Sequence, residues 1–287
     1  MPESVLTMGF IGGGNMGEAF ISALIEGRTV SRTSIWVSDV DQIRLDFLKN
    51  KYRINIAHDN QFLYSRCNTI ILAVKPQQME IILSQIAPNK TGIPRTKKRI
   101  ISIAAGIPIR KIENRLYDGL NETSRKYLPV IRVMPNTPAL VRCGISGMSS
   151  NRYASRADLR ITRKLLESIG IAIQFEEEAL DAVTALSGSG PAYLFYLAEA
   201  MIEAGIRMGL NPDDATRLTR MTLKGASVLL DQQDEPPEAL RQKVTSPGGT
   251  TEAALRILDH GEVKKTIVQA IQAACNRARD LSGESDP

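Results

Sequence analysis

Short apolar runs alternate with helix-like patterns through the first half of the chain, and this alternation is the feature that most restricts its fold. The runs with the length of buried strands are 7–12, 34–39, 69–74, 100–106 and 130–134. Helical spacing of apolar residues fills the intervals at 15–27, 41–51, 77–87 and 108–116. Strands separated by helices pair in parallel and are covered on both faces. With a further helix over 157–170 and a strand over 171–175, the pattern predicts a doubly wound α/β domain at 1–176.

Beyond Glu176 the strand pattern stops, and helical segments separated by glycine and proline continue to the end of the sequence. Residues 177–287 are therefore predicted to form an all-α domain. Within it, segment 193–208 is apolar around much of its circumference, as in a helix buried on several sides. A few helices make a thin core around such a segment, so we expect a homodimer formed through 177–287. We further expect the dimers to be able to assemble into a higher oligomer.

Composition narrows the class of protein. Apolar residues make up 43% of the chain and charged residues 23%, as in ordinary globular proteins. Cys67, Cys143 and Cys275 are far apart, which disfavours a disulfide framework or metal site and favours a reducing compartment. The basic segment 89–100 lacks interleaved aromatic residues, so we expect no nucleic-acid partner. With no long apolar run and no signal-peptide pattern, we expect a cytoplasmic protein without a membrane partner.

A glycine-rich turn joins the first predicted strand to the first predicted helix. Gly12, Gly14 and Gly17 fit the pattern G-x-G-x-x-G. In this pattern the first glycine permits a tight turn, the second lets a pyrophosphate approach the backbone, and the third permits close helix–strand packing. The pattern predicts a Rossmann-like dinucleotide site. Its predicted loop residues are Ile11, Gly12, Gly13, Gly14, Asn15, Met16 and Gly17.

The choice between NADH and NADPH stays open at this point. Asp39 ends the second predicted strand, where a carboxylate can bond the ribose 2′-hydroxyl of NADH and would repel a 2′-phosphate. Ser38 and Arg44 lie nearby and could instead serve NADPH. The small pair Ala104 and Ala105 would make room for a flat ring, although small residues in a strand also serve plain packing.

The stretch SPGGTT, residues 246–251, precedes a helical pattern and offers only hydroxyls and backbone N–H groups. A turn at a helix start gathers unpaired donors, which suits an anion. An ordinary helix cap made by Ser246 or Thr250 explains the same residues. From these residues alone both interpretations stand.

Six motifs together resemble the pyrroline-5-carboxylate reductase family over almost the whole chain. They are GFIGGGNMG, AVKPQ, SIAAG, RVMPNTPALV, DAVTALSGSGPAY and SPGGTT. The resemblance implies hydride transfer from NADPH or NADH to the cyclic imine of 1-pyrroline-5-carboxylate. The product would be L-proline, in the last step of proline biosynthesis.

The resemblance also implies the site residues. Backbone N–H groups of the turn would hold the substrate carboxylate, and Thr251 would act as the catalytic residue by bonding the imine nitrogen. The implied substrate-binding residues are Glu177, Ser246, Gly248, Gly249, Thr250 and Thr251. The implied adenosine-side residues are Ser38, Asn60, Ala73, Val74, Lys75 and Pro76, with Ala104 and Ala105 on the nicotinamide side.

Two departures and two competing functions remain. Family members often carry an acid-His-Pro sequence where this chain has DEPP (234–237), and an arginine that grips a 2′-phosphate where it has Val40. A β-hydroxyacid dehydrogenase needs a catalytic lysine on the helix after its Gly-x-Gly segment, but residues 187–200 contain no lysine. A cofactor-sensing module without catalysis would need no turn for a substrate carboxylate.

Overall fold

The computed structural model describes residues 6–87 and 96–283. The chain divides into two compact units, one made of residues 1–188 and 274–287 and the other of residues 189–273. Most of the basic segment 89–100 lies outside the described residues. The assignment of 1–176 and 177–287 to two domains stays a prediction.

An eight-stranded sheet forms the centre of the first unit, in the order β3-β2-β1-β4-β5-β6-β7-β8. The strands are β1 (Met8–Ile11), β2 (Ile35–Ser38), β3 (Asn55–Ile56), β4 (Thr69–Leu72), β5 (Arg99–Ser102), β6 (Val130–Met134), β7 (Gly144–Ser150) and β8 (Gly170–Gln174). All six predicted strands are present. The first six strands of this order are parallel, which confirms the predicted Rossmann-like arrangement.

The predicted parallel sheet has one antiparallel pairing, because β7 runs antiparallel to β6. Neither β7 nor the short β3 was predicted. The sequence of β7, GISGMSS, has two glycines and three serines in place of a continuous apolar run. Its strand conformation depends on pairing with β6 and β8, which lie on either side of it.

Helices cover both faces of the sheet. They are α1 (Asn15–Glu26), α2 (Gln42–Tyr52), α3 (Asn60–Arg66), α4 (Met79–Ile86), α5 (Ile109–Leu116), α6 (Glu122–Arg125), α7 (Arg156–Leu166) and α8 (Leu180–Val183). Successive residues of a strand belong to two different apolar cores. Phe10 and Ile71 belong to one core, and Ile11 and Ile70 belong to the other. Because successive side chains of a strand point to opposite faces, this division shows that the sheet is buried on both sides.

The switch point of the sheet lies between β1 and β4. From β1 the chain proceeds to β2 on one side and later returns to β4 on the other side. In open α/β sheets the carboxyl ends of two such strands flank the ligand crevice. Here those ends lead into Gly12 and Ala73.

The second unit contains only helices and turns throughout residues 189–273, as predicted. Its helices are α9 (Gly190–Arg207), α10 (Pro212–Gln232), α11 (Pro237–Lys243), α12 (Thr250–His260) and the first part of α13 (Val263–Ser282). The last part of α13 belongs to the first unit, where Cys275 and Ala278 are buried. Among the described residues, no helix has both the length and the apolar character needed to cross a membrane.

Candidate functional site

The glycine-rich loop after β1 is held tightly at two of its three motif glycines. Gly12 has φ +101°, and a β-carbon there would lie 2.6 Å from the carbonyl oxygen of Ala73. A β-carbon on Gly17 would lie 2.6 Å from the carbonyl oxygen of Gly12. Both positions therefore require glycine for packing: one at the turn, and one where α1 approaches the strand.

The protein's own packing does not require glycine at the remaining motif position. A β-carbon on Gly14 would meet nothing within 4 Å, and the backbone at φ −64° suits any residue. Gly14 is also the N-cap of α1, and no side chain caps the helix. Within the described residues, the first backbone N–H groups of α1, those of Asn15, Met16 and Gly17, have no hydrogen-bond partner. An open cradle of donors at a helix N-terminus fits a dinucleotide pyrophosphate.

The residues at the end of β2 lie beside this loop. Asp39 accepts the N–H of Gly13 at 2.6 Å through Oδ2 and the N–H of Asp41 at 3.0 Å through Oδ1. The Ser38 hydroxyl donates to Oδ1 of Asn60 at 2.6 Å. The structure thus brings together Ser38 and Asn60, two of the residues expected on the adenosine side. Val40, at the position where family members often carry an arginine, is 92% exposed.

Arg44, considered above as a group for NADPH, lies on α2 and contacts the glycine-rich loop directly. Its Nε donates to the carbonyl oxygen of Gly13 at 2.6 Å, and its Nη2 pairs with Glu18. Sequence reasoning missed the pairing with Glu18. An acid in the first turn of a helix is common and does not by itself identify its partner.

The segments after β4 and β5 follow the same edge of the sheet. Ala73 donates its N–H to the carbonyl of Ile11 at 2.8 Å, and Ile103 donates to the carbonyl of Leu72 at 3.1 Å. The AVKP segment therefore continues from β4, the neighbour of β1, and the pair Ala104 and Ala105 continues from β5, one strand further along the sheet. Ala104 is buried and Ala105 is half-buried. The end of α13 packs here as well: a β-carbon on Gly106 would lie 3.0 Å from Cβ of Leu281.

Glu177 belongs to a buried ionic cluster that was not predicted. Its Oε1 accepts the backbone N–H of Ile109 at 2.6 Å and Nη1 of Arg132 at 3.3 Å. Nη2 of Arg132 donates to Oδ1 of Asp181 at 3.0 Å, and both of these side chains are almost fully buried. Glu177 thus caps α5, whose N-cap is a proline without a capping side chain. The signal that could have revealed the cluster is the arginine within the apolar strand VIRVM.

Two further motifs meet in the first unit. Nδ2 of Asn136, in RVMPNTP, donates to Oγ of Ser187, in ALSGSG, at 3.2 Å. A β-carbon on Gly188 would collide with Cε of Met134. Residues 184–188 form a π-helical turn, a feature that is frequent at functional sites.

In the second unit, SPGGTT forms a turn at the start of α12. Gly248 has φ +73°, and a β-carbon on Gly249 would lie 2.6 Å from Oγ of Ser246. The N-cap is Gly249, with no side-chain capping bond. Neither Ser246 nor Thr250 therefore acts as the ordinary helix cap that the sequence allowed.

The turn presents donors that have no partner. Within the described part of the chain, the backbone N–H groups of Thr250, Thr251 and Glu252 make no hydrogen bond. The N–H of Gly248 donates to Oε2 of Glu252 at 2.7 Å. Sequence reasoning missed Glu252, although its place three residues after the N-cap is typical of a side chain that bonds back to the turn.

The helices of the second unit expose apolar side chains well beyond what single scattered residues explain. Phe195 and Tyr196 on α9 are 65% and 76% exposed. Further large exposed side chains are Leu194, Leu197, Leu218, Met221, Leu229, Ile257, Leu258, Ile267 and Val268. Surfaces of this kind mark protein interfaces.

Comparison with known proteins matches both halves of the chain to family models. Residues 177–281 match the model described as pyrroline-5-carboxylate reductase dimerisation. Residues 7–106 match the model described as NADP oxidoreductase coenzyme F420-dependent.

Relatives match over nearly their full length. The chain is 37% identical to the pyrroline-5-carboxylate reductase of Pseudomonas aeruginosa, over 95% of this chain and 96% of the relative. It is 36% identical to pyrroline-5-carboxylate reductase 2 of Bacillus subtilis, over 96% of this chain and 94% of the relative. Among solved structures, the pyrroline-5-carboxylate reductase of Coxiella burnetii has a TM-score of 0.85 at 33% identity, covering 97% of this chain and 99% of that one. The Plasmodium falciparum pyrroline carboxylate reductase with NADP bound has a TM-score of 0.83 at 29% identity, covering 96% of this chain and 98% of that one.

Proposed function

This chain belongs to the pyrroline-5-carboxylate reductase family, and we propose that it reduces the C=N bond of 1-pyrroline-5-carboxylate to give L-proline, the last step of proline biosynthesis. The observation that carries the proposal is the uncapped glycine turn at the start of α12. A cyclic imino acid brings one carboxylate and one ring nitrogen, and the turn offers backbone donors beside a threonine hydroxyl.

The chain's own residues bind and orient the substrate. The N–H groups around Gly248 to Thr251 hold its carboxylate, with Ser246 and Gly249 shaping the turn. The Thr251 hydroxyl bonds the ring nitrogen. Because an imine of this kind is protonated near neutral pH and water can supply the proton, no strong general acid is needed at this atom. A site built mainly from hydroxyls and backbone groups suffices.

The cofactor is NADPH or NADH, which when bound supplies the hydride for the imine carbon. The donors of the α1 N-terminus hold its pyrophosphate, beside Gly12, Gly13 and Gly14. Ser38, Asn60 and the segment from Ala73 to Pro76 line its adenosine side. Ala104 and Ala105 lie on its nicotinamide side.

Glu177 is assigned to the edge of the substrate site. One of its carboxylate oxygens is committed to Ile109 and Arg132. Its Oε2 accepts no hydrogen bond from the described residues, which leaves it able to orient a ligand. Two observations support this role: the family resemblance, and the lack of a hydrogen bond to Oε2 from the described residues.

The assembly is a homo-oligomer formed through the dimerisation region. The exposed apolar faces of α9, α10 and α12 support a dimer formed through this region. Such dimers can then associate into a higher oligomer. The three cysteines are free thiols, which supports a cytoplasmic location.

Initial rates with 1-pyrroline-5-carboxylate, using NADH and NADPH side by side, test this function. We expect turnover with at least one cofactor. The reverse assay with proline or thiazolidine-4-carboxylate at high pH distinguishes the alternatives. A β-hydroxyacid dehydrogenase would oxidise hydroxy acids instead, and a cofactor sensor would bind the dinucleotide without turnover.

A further inference from the structure

Gly13, between the first two motif glycines, is held at both of its backbone polar groups. Its N–H donates to Oδ2 of Asp39 at 2.6 Å, and its carbonyl accepts from Nε of Arg44 at 2.6 Å. One contact comes from the end of β2 and the other from α2. The two contacts fix the path of the backbone directly before the donors of the α1 N-terminus.

The Arg44 guanidinium is itself held in place. Its Nη2 pairs with Glu18 on α1, and its centre lies 5.1 Å from the ring centroid of Phe47. Glu18 also accepts from Nζ of Lys51 at 2.9 Å and from the hydroxyl of Tyr52 at 2.8 Å. The guanidinium thus contacts the loop and a carboxylate, and its carbon lies over an aromatic ring.

The charge state of Glu18 supports this arrangement. Burial raises the pKa of Glu18, but hydrogen bonds from Lys51, Tyr52 and Arg44 outweigh burial and bring the pKa below its ordinary value. The carboxylate is therefore ionised at neutral pH. Glu18 lies in the first turn of α1, so the cluster links α2 to the N-terminal end of the helix that follows the loop.

We propose that Arg44 is a positioning residue that braces the glycine-rich loop through Gly13 and Glu18, and that it does not bind the 2′-phosphate of NADPH. This inference rests on the proposed dinucleotide site. By fixing the loop, Arg44 positions the backbone N–H groups that hold the pyrophosphate, and NADH and NADPH use these groups equally. A 2′-phosphate ligand would discriminate between the two cofactors.

Calorimetry with NADH and NADPH on Arg44→Met and Glu18→Gln tests the proposal. We expect Kd to rise by about three- to tenfold for both cofactors, as for loss of one or two hydrogen bonds, with an unchanged NADPH-to-NADH ratio. Arg44→Lys keeps the charge but loses the fork geometry, so we expect it to weaken both cofactors as well. Glu18→Gln is nearly isosteric and provides the test if Arg44→Met does not fold.

A matched control pair lies away from the loop, with its acid on α1 and its arginine outside both α1 and α2. Glu26, in the last turn of α1, pairs with Arg142, and neither residue contacts Gly13. Glu26→Gln and Arg142→Met should leave both affinities unchanged. Hydrogen exchange of the unliganded protein gives an independent readout: residues 12–18 should exchange faster in Arg44→Met than in Arg142→Met.

Three results would overturn the proposal. The first is a rise in Kd for NADPH alone, which would make Arg44 a 2′-phosphate ligand. The second is unchanged affinity for both cofactors in the Arg44 and Glu18 variants. The third is failure of the unaltered protein to bind either dinucleotide, which would also overturn the proposed function, whereas the first two leave that function intact.

Discussion

Oδ2 of Asp39 accepts the backbone N–H of Gly13 at 2.6 Å, so the acid at the end of β2 holds the cofactor loop. Its other oxygen accepts the N–H of Asp41 at 3.0 Å. A carboxylate in this position has two consequences for a dinucleotide. It orders the loop for either cofactor, and its charge repels a 2′-phosphate.

Replacing Asp39 with serine should therefore raise the ratio of kcat/KM for NADPH to that for NADH, because the repulsion is lost. NADH affinity should fall, because serine is too short to reach Gly13. Steady-state kinetics with both cofactors measure the ratio. Asp41→Ser is the matched control: it removes one charge nearby but keeps a residue that can cap α2. An unchanged ratio in Asp39→Ser would show that the carboxylate does not set the preference.

Gly14 and Gly12 should respond differently to a side chain. Gly14→Val should lower dinucleotide affinity by at least about tenfold with little change in Tm, because the side chain enters the space for the pyrophosphate while its β-carbon meets no protein atom within 4 Å. Gly12→Ala should lower Tm, because its β-carbon would meet the Ala73 carbonyl at 2.6 Å. Calorimetry and thermal unfolding on both variants check this contrast. Unchanged affinity in Gly14→Val would remove the loop from the cofactor site.

Several features were predictable from local sequence. The predicted strands and helices of the first unit follow from apolar periodicity, and the glycine-rich turn follows from its place between β1 and α1. Local sequence did not predict features that depend on contacts between residues distant in the chain. The conformation of β7 depends on its neighbours, and Arg132 gains its partners Glu177 and Asp181 only when β6 meets residues 177–183.

The last part of α13 packs in the first unit beside Gly106, a contact that the sequence did not predict. Periodicity identifies which face of a helix is apolar but not which surface covers that face. The same limit applies to the pairing of Arg44 with Glu18. From the sequence, each residue is an exposed charge on its own helix. The pair forms because α1 and α2 lie side by side in the structure.

The exposed apolar face of α9 predicts the oligomeric state. Phe195→Asp should shift the protein from dimer to monomer, because a buried unpaired charge would oppose association at this face. Light scattering measures the mass, with Glu203→Gln, an exposed polar change on the same helix, as control. An active, stable monomer of the unaltered chain would contradict the proposed dimer.

The Thr251 hydroxyl should matter for turnover rather than for stability. Thr251→Ala should lower kcat/KM by roughly one to two decades, as for loss of a transition-state hydrogen bond. Thr251→Ser should keep most of the rate. The structure shows no capping bond from this residue, so Tm should change little. Thr245→Ala removes a hydroxyl next to the turn and should leave kcat/KM unchanged. A fully active but destabilised Thr251→Ala variant would make Thr251 a structural residue.

The most direct test of the proposed reaction is to measure L-proline formed against reduced cofactor consumed, with 1-pyrroline-5-carboxylate as substrate. The proposed hydride transfer predicts one L-proline for each NADPH or NADH oxidised, and an equal fall of both rates in Thr251→Ala. Dinucleotide binding without any formation of proline would contradict the account.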